Sequence, residues 1–337
     1  MAKFIVRRLL WMAVVLLVVS AITFLLLRAV PGGPFNTERG VPAPVQRALE
    51  EKFNLNAPLH IQYFSYLGDI LVPRITGPEY RRTLTTDYLI NIDLPILGED
   101  AAFRWMNFGP SLRVRSRTVN MIFTENLPVS IQLGVAALTV AIIIGVPLGI
   151  VAALRRNTWV DYSAMGVAII GVSVSTIVMA PVLQYVFGVL LKVLPVSGWG
   201  RIENVILPAF TLGIVQSALL ARLTRASLLQ VLNEDYIRTA RAKGLSERVV
   251  VTLHALKNSL IPVVTVIGPL FAALVTGTFV VETFFAVPGM GRYFVTSVNN
   301  RDFTVVMGTI LLYAAFLVLA NLIVDILYAW LDPRIRY

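Results

Sequence analysis

The sequence NEDYIRTARAKGLSERVVVTLHALKNSLIP runs from Asn233 to Pro262 and separates two long apolar stretches. Asn233 can cap a helix by accepting hydrogen bonds from backbone N–H groups, and the acidic residues that follow suit the positive end of a helix dipole. Gly244 can adopt the positive φ that often ends a helix. The sequence therefore predicts a short helix over residues 234–243, between two membrane spans, where it can contact a cytoplasmic partner.

Within this helix, Glu234 precedes Arg238 by one turn and is predicted to pair with it. Ile237, Ala240 and Gly244 share one face, and the small residues Ala240 and Gly244 are expected to let a partner approach closely. The basic side chains project elsewhere, and charge alone would equally suit a solvated inner loop. The residues predicted to couple the helix to a partner are Glu234, Asp235, Tyr236, Ile237, Arg238, Ala240, Arg241, Lys243 and Gly244.

The composition of the chain is that of a polytopic membrane protein. Of 337 residues, 57% are hydrophobic and only 14% are charged, too apolar for an ordinary soluble domain. The net charge of +10 is explained better by basic cytoplasmic loops than by nucleic-acid binding. The absence of cysteine excludes disulfides, thiolate metal sites and a Cys nucleophile, and two histidines leave little for a metal site.

Six stretches are long and apolar enough to cross a bilayer. The first is too long for the apolar part of a signal peptide and is interpreted as a retained span. The sequence thus predicts an all-α fold with six transmembrane helices, at about Leu9–Leu27, Pro128–Ala153, Tyr162–Leu191, Val205–Leu229, Leu260–Phe285 and Phe303–Trp330.

Basic residues in the short loops indicate the orientation. If the N-terminus is cytoplasmic, the cytoplasmic side carries Lys3, Arg7, Arg8, Arg155, Arg156, Arg222, Arg225, Arg238, Arg241, Lys243, Arg248, Lys257, Arg334 and Arg336. The opposite short connections carry only Lys192, Arg201, Arg292 and Arg301. Both termini are therefore predicted to be cytoplasmic, with residues 1–30 forming the N-terminus and first helix, 31–126 an extracytoplasmic segment, and 127–337 a core that includes the cytoplasmic coupling loop 231–259.

The extracytoplasmic segment has helical spacing of apolar residues in two places. Val45, Leu49 and Phe53 form one stripe, and a second comprises Tyr63, Leu67, Ile70 and Leu71. Both predict short amphipathic helices. The range Pro73–Trp105 has an irregular pattern and is interpreted as loop with at most one short strand or helix.

Glycine and proline are expected to interrupt two spans. Gly145, Pro147 and Gly149 lie in the second span and Pro181 in the third, and broken helices persist in a membrane only where protein or water satisfies the backbone. One face of the third span is small and weakly polar, formed by Gly166, Gly171, Ser173 and Ser175. This face suits close helix packing, or else, through Ser173 and Ser175, a wall of a solute pathway.

Lys192, Glu282 and Asp325 are the charged residues in or near spans, and each suits an interfacial ion pair or a functional site. The run ETFFAVPGMGR, residues 282–292, leaves the fifth span through a predicted tight turn in which Gly289 and Gly291 can take positive φ. It is either a simple connector or a gate. In the gate hypothesis Phe284 and Phe285 close the outer mouth, and Glu282 pairs with a basic neighbour such as Arg292.

No phosphate-binding loop of the type G-x-x-x-x-G-K-[ST] occurs, and the glycine-rich PGMG lies on the outer side. No nucleophile with a plausible base is evident. The chain is predicted not to be an enzyme by itself.

Several motifs together resemble the inner-membrane permease subunits of binding-protein-dependent ABC importers, and most closely the dipeptide, oligopeptide and nickel branch. They are EDYIRTARAKGL followed by HALKNSLIPVVTVIG, and then KFIVRRLL, RAVPGGP, LPVSIQLG, GVPLGI, VETFFAVPGMGR and NLIVDILYAWLDPRIRY. The general signature is E-A-A…G in a loop whose helix sits in a cleft of the ATPase. Arg238 and Thr239 depart from it and Ala240 and Gly244 match it, as in the peptide branch.

The resemblance implies a type I ABC importer permease fold and a set of partners: a second homologous permease subunit, two ATPase subunits that bind ATP and Mg, and an extracytoplasmic solute-binding protein. It implies no cofactor in this chain, and the most strongly implied solute is a di- or oligopeptide, with nickel chelates and oligosaccharides as alternatives. The region from about Val72 to Asn107 is expected to be longer than in that branch. A secondary transporter or channel would need matched broken helices and buried titratable residues. A membrane-anchored interaction protein would leave the interrupted spans unexplained.

Overall fold

The computed structural model describes residues 2–30, 51, 55–76, 88–94, 101–114, 116–276 and 278–331. Within them, five helices are long and apolar enough to cross a membrane, and the number reaches six if one bent pair forms a single span. This agrees with the predicted all-α, six-span fold. The spanning elements are α1 (Ala2–Ala29), α3 (Val119–Leu154), the bent pair α4 (Trp159–Ser173) and α5 (Thr176–Leu183), α6 (Ile202–Val231), α10 (Ile261–Thr276) with α11 (Phe279–Phe284), and α13 (Phe303–Leu331).

The remaining elements are shorter. They are α2 (Leu59–Leu71), α7 (Asp235–Ala242), α8 (Glu247–Val249), α9 (Leu256–Ser259), α12 (Met290–Asn299), two π-helical segments at Gln184–Leu190 and Val250–Ala255, and three strands. The chain divides into two compact units. The first comprises Met1–Arg8, Val129–Gly291 and Phe316–Tyr337, and the second comprises Leu9–Pro128 and Arg292–Ala315.

In the first unit, α3 and α6 approach each other backbone to backbone. A Cβ atom on Gly145 would lie 2.5 Å from the carbonyl oxygen of Ser217, and one on Gly149 would lie 2.5 Å from that of Ala221. The prediction that Gly145, Pro147 and Gly149 interrupt the second span is wrong, since α3 runs through them as a continuous helix. The glycines serve instead to admit a neighbouring helix, as small residues do in membrane interfaces.

The third span is interrupted, but before Pro181. Chain direction changes by 96° between α4 and α5, and Ser175 caps α5 by accepting a hydrogen bond from the N–H of Ile177 at 3.3 Å. Pro181 lies inside α5, and a π-helical segment begins at Gln184. The bend therefore forms where two helices end and begin, and the wider π-helical turns follow the proline.

Two contacts in the first unit join α13 to other helices, one to α10 and one to α1. Gly268 of α10 faces α13, because a Cβ there would lie 2.9 Å from the carbonyl oxygen of Ala320. Asp325 forms an ion pair with Arg8 at 2.9 Å, which agrees with the predicted interfacial pairing of Asp325.

The second unit contains α2 and a three-stranded antiparallel sheet. Strands β1 (Arg74–Thr76), β2 (Ile90–Asp93) and β3 (Ala102–Trp105) pair in the order β1-β3-β2. The predicted helix around Tyr63 and Ile70 is confirmed, whereas Pro73–Trp105 holds more strand than predicted. The stripe Val45, Leu49 and Phe53 lies outside the described residues.

Asp302 joins two loops of the second unit. Its buried carboxylate accepts hydrogen bonds from the hydroxyl of Ser111 and from the N–H of Leu112 at 3.1 Å. It also precedes α13 and accepts from the N–H of Val305 at 3.4 Å, as a helix cap does. One carboxylate thus ties the loop before α3 to the start of the last span.

Candidate functional site

The predicted coupling helix is present as α7, from Asp235 to Ala242. Gly244 follows it with φ +76°, which confirms its predicted place at the C-terminal end. Asn233 does not cap the helix. Its side-chain amide instead donates to the carbonyl oxygen of Leu229 at 2.9 Å, in the last turn of α6, and Glu234 occupies the capping position.

One face of α7 is buried inside the chain. Ile237 is fully buried and Ala240 nearly so, and both pack in a cluster with Ala153 of α3, Leu228 of α6 and Val250. The prediction that a partner approaches over Ala240 therefore needs correction. The small side chain of Ala240 lets α7 pack closely against other helices of the same chain. Gly244 remains exposed.

The rest of α7 is exposed and polar, with charges of both signs. It presents Asp235, Tyr236, Arg238 and Arg241, and Lys243 follows at its end. The predicted pair of Glu234 with Arg238 is replaced by a long, exposed contact of Arg238 with Asp235 at 3.7 Å. The exposed side of α7 is therefore a polar surface that a partner can reach.

Two contacts join α7 to the segment that follows it. Arg241 donates two hydrogen bonds to Glu247, at 2.7 and 3.1 Å. The hydrogen bond from Arg241 lowers the pKa of Glu247, and that of Arg241 is raised in turn. The hydroxyl of Tyr236 accepts from the amide of Asn258 in α9 at 2.8 Å. The helix and its return segment are thereby held as one piece.

A second ion pair anchors the base of this region. Arg225 of α6 donates to both oxygens of Asp161 in α4, at 2.6 and 2.7 Å. Asp161 also accepts from the N–H of Asn157 at 3.1 Å, and Asn157 has φ 60°. The loop between α3 and α4 is thus fixed to the helix that leads into α7.

The second predicted site, around Glu282, is a buried polar cluster. Glu282 is fully buried, and its Oε1 accepts hydrogen bonds from Thr278 at 2.7 Å and from Ser130 at 3.1 Å. Ser130 in turn accepts from the N–H of Met290 at 2.8 Å. Glu282 is therefore an internal hub, and its pairing with Arg292 stays a prediction.

Gly289 and Gly291, in and just after the turn that follows α11, let the backbone pack closely against α11. Positive φ occurs at Ala286, φ 53°, and neither Gly289 nor Gly291 has it, contrary to the prediction. A Cβ on Gly289 would overlap the carboxyl group of Glu282, and one on Gly291 would lie 2.7 Å from the backbone nitrogen of Phe279. The turn is folded tightly over the buried carboxyl.

The two phenylalanines predicted as a gate have different environments. Phe285 is buried in the main apolar cluster, with 1% of its surface exposed, whereas Phe284 is 39% exposed. Their carbonyl oxygens accept hydrogen bonds from Gly198 at 2.9 Å and from the side chain of Gln184 at 2.8 Å, respectively. Phe285 is a core residue, so only Phe284 retains the surface that a gate requires.

Ser173 and Ser175 flank the bend of the third span and are exposed. Ser173 donates to the carbonyl oxygen of Ile169 at 2.8 Å, and Ser175 caps α5. Both hydroxyls support the bend locally, and their predicted role in a pathway stays a prediction.

Sequence reasoning missed Ser130, Thr278, Asp161 and Arg225 as site residues. Thr278 lies one helical turn before Glu282, a spacing that could have indicated a local hydrogen bond. Ser130 and the pair Asp161–Arg225 involve distant parts of the chain, and a single sequence carries no signal for such pairings.

Family models match both parts of the chain. Residues 145–337 match the model described as "Binding-protein-dependent transport system inner membrane component". Residues 1–81 match "Binding-prot-dependent transport system membrane comp, N-term".

Curated relatives match over the whole length. The chain is 40% identical to the dipeptide transport system permease protein DppB of Bacillus subtilis, covering 100% of this chain and 98% of the relative. It is also 40% identical to the oligopeptide transport system permease protein OppB of Salmonella typhimurium, covering 100% of both. Because these lengths agree, the expected extra length between Val72 and Asn107 is not supported.

Among solved structures, two forms of the inward-facing MetNI methionine ABC transporter resemble the chain. One has a TM-score of 0.53 at 17% identity and the other 0.50 at 15%, each covering 63% of this chain and 97% of that chain. At this identity the likeness concerns the fold, and it agrees with the predicted type I importer permease fold. With a family model matching more than half of the sequence and relatives at 40% identity over its full length, the chain belongs to the binding-protein-dependent transport system inner membrane component family.

Proposed function

We propose that this chain is one of two homologous membrane subunits of an ATP-driven importer of di- or oligopeptides. The observation that carries the proposal is the 40% identity, over the full length, to permease proteins named for dipeptide and oligopeptide transport. An extracytoplasmic binding protein would deliver the peptide. Two separate ATPase subunits would bind ATP and Mg.

The exposed polar face of α7 is the proposed contact with the ATPase. Closure of the ATPase dimer on ATP would move α7, and the contacts of Arg241 with Glu247 and Tyr236 with Asn258 would carry the movement into the spans. ATP can drive this movement only if the ATPase dimer binds ATP more tightly in its closed state than in its open state. We place both termini in the cytoplasm and the chain in the cell inner membrane.

The test begins with the intact assembly. Purified from its own cells in mild detergent, the chain is expected to retain two ATPase subunits, a second permease and a binding protein, identified by mass spectrometry. In proteoliposomes, uptake of radiolabelled di- and oligopeptides should require ATP and binding protein. Uptake of a nickel chelate or an oligosaccharide in place of peptides would contradict the proposed substrate.

Solute uptake by the purified chain alone, driven by an ion gradient and indifferent to ATP, would contradict the importer.

A further inference from the structure

The second unit contains a cavity of about 240 Å³ beside the C-terminal end of α1. Arg28, Gln62, Tyr66 and Phe303 lie in its wall, together with Asp69. The first span ends at Ala29, so Arg28 lies at the boundary of the apolar region, where phospholipid headgroups meet a membrane protein.

The guanidinium group of Arg28 has no carboxylate partner among the described residues. Its central carbon lies 5.4 Å from the ring centre of Phe24 and 5.7 Å from that of Phe303. Asp69, the acidic residue in the cavity wall, instead pairs with Arg74 at 2.5 Å. A guanidinium stacked on aromatic faces keeps its N–H edge available for an oxyanion, which it binds with two hydrogen bonds.

The cavity wall also holds two buried polar atoms without a hydrogen-bond partner in the described part of the chain, the hydroxyl of Tyr66 and Oε1 of Gln62. The amide nitrogen of Gln62 is committed to the carbonyl oxygens of Leu55 and Ala57, at 2.8 and 2.6 Å. Burial raises the pKa of Tyr66, so its hydroxyl stays a donor. Buried polar atoms are ordinarily satisfied, and unsatisfied ones indicate a missing partner.

An apolar groove adjoins the cavity and shares Phe24 with it. The groove lies between α1 and α2 and is lined by Ala21, Phe24, Leu25, Leu59, His60 and Tyr63. Leu25 and Leu59 are exposed. A cation at headgroup level with an apolar groove beside it suits a molecule that has both an anionic phosphate and an acyl chain.

We propose that this cavity binds the headgroup of an anionic phospholipid, with its phosphate on Arg28 and an acyl chain in the groove beside Phe24 and Leu25. Tyr66 and Gln62 hydrogen-bond the polar part of the headgroup. The site is separate from the coupling helix and from the Glu282 cluster, and it goes beyond the proposed transport function.

The test uses the purified assembly in detergent, stripped of lipid and titrated with phosphatidylglycerol. Retained phospholipid is counted by native mass spectrometry, and the unfolding midpoint is followed in parallel. Arg28→Gln is expected to weaken phosphatidylglycerol binding about tenfold or more, since it removes a charge-assisted hydrogen bond. Arg28→Lys should keep part of the affinity. Arg201→Gln, which removes an exposed arginine elsewhere, should bind as the wild type does.

Tyr66→Phe separates binding from folding. The lipid-free variant should unfold at or above the wild-type midpoint, because the lost hydroxyl has no partner, while the rise caused by phosphatidylglycerol should shrink. Wild-type phosphatidylglycerol binding in both Arg28→Gln and Tyr66→Phe would overturn the proposal. An equal rise with inorganic phosphate alone would identify a free-anion site and likewise overturn the lipid assignment.

Discussion

The hydroxyl of Ser130 lies 3.1 Å from Oε1 of Glu282, in a place where Glu282 has no exposed surface. Ser130 also accepts from the backbone N–H of Met290. One hydroxyl of α3 therefore connects the end of α11 with the start of α12. The cluster holds the turn closed through side chains that never reach the surface.

Ser130→Ala should lower the free energy of unfolding by about 1–3 kcal/mol, because it removes one hydrogen bond from the buried Glu282 and leaves the N–H of Met290 without the hydroxyl that accepts from it. Thermal unfolding of the purified assembly measures the loss. If the turn is an outer gate, ATP hydrolysis without binding protein should also rise. Thr283→Ala is the matched control, since that exposed hydroxyl donates only to Phe279 in its own helix. Equal stability in the two variants would contradict the hub role of Ser130.

Gly145→Ala should destabilise the protein by about 1–3 kcal/mol, because its Cβ would lie 2.5 Å from the carbonyl oxygen of Ser217 and force α3 from α6. Gly166→Ala is the control. A Cβ on Gly166 meets no atom within 4 Å, so alanine should be neutral or stabilising there. Denaturant unfolding of both variants gives the comparison, and similar effects would argue against the close approach.

The pair Arg241–Glu247 should make the loop after α7 sensitive to acid. Because the folded-state pKa of Glu247 is lowered, its stabilisation is present above the unfolded pKa and is lost as the pH falls through the folded value. Both side chains are exposed, so the contribution is at most about 1 kcal/mol. Hydrogen exchange around residues 243–247 should be faster in Glu247→Gln than in the wild type at neutral pH. The two should converge in acid, and a constant ratio would refute the assignment.

The two faces of α7 should respond differently to charge. Ala240→Arg places a cation in a buried apolar cluster and should reduce folded protein. Arg238→Glu changes only an exposed residue. It should leave the unfolding midpoint unchanged while weakening retention of the ATPase and substrate-stimulated ATP hydrolysis. Normal coupling in Arg238→Glu would contradict docking on the exposed face of α7.

The proposed orientation can be tested with single cysteines, since the chain has none. Asn299 and Ser246 are both exposed. An impermeant maleimide should label Asn299→Cys in intact cells and label Ser246→Cys only after permeabilisation. The reverse pattern would overturn both the orientation and the cytoplasmic position of α7.

Local chemistry explains what the sequence could predict. Acidic residues at one end of α7 and Gly244 at the other define that helix without reference to the rest of the chain. The length of each apolar stretch is likewise set by consecutive residues and can be read without knowing the rest of the fold. Both predictions are therefore confirmed by the structure.

The errors concern contacts between distant residues. Gly145 and Gly149 were expected to break a helix, yet a helix from another part of the chain lies against them. Ala240 and Phe285 were assigned to surfaces, yet both are buried by residues far away in sequence. Small or apolar side chains suit an interface with a partner and an interface within the chain equally well, so composition cannot distinguish the two.

The backbone contact between α3 and α6 has a mechanical consequence. Helices interlocked at Gly145, Gly149 and Gly213 cannot slide or rotate past each other without overlap of their main chains. In a conformational change, α3 and α6 would therefore move together as one rigid unit. Bending would then occur at other positions, and the 96° bend at Val174 and Ser175 in the third span is one such position.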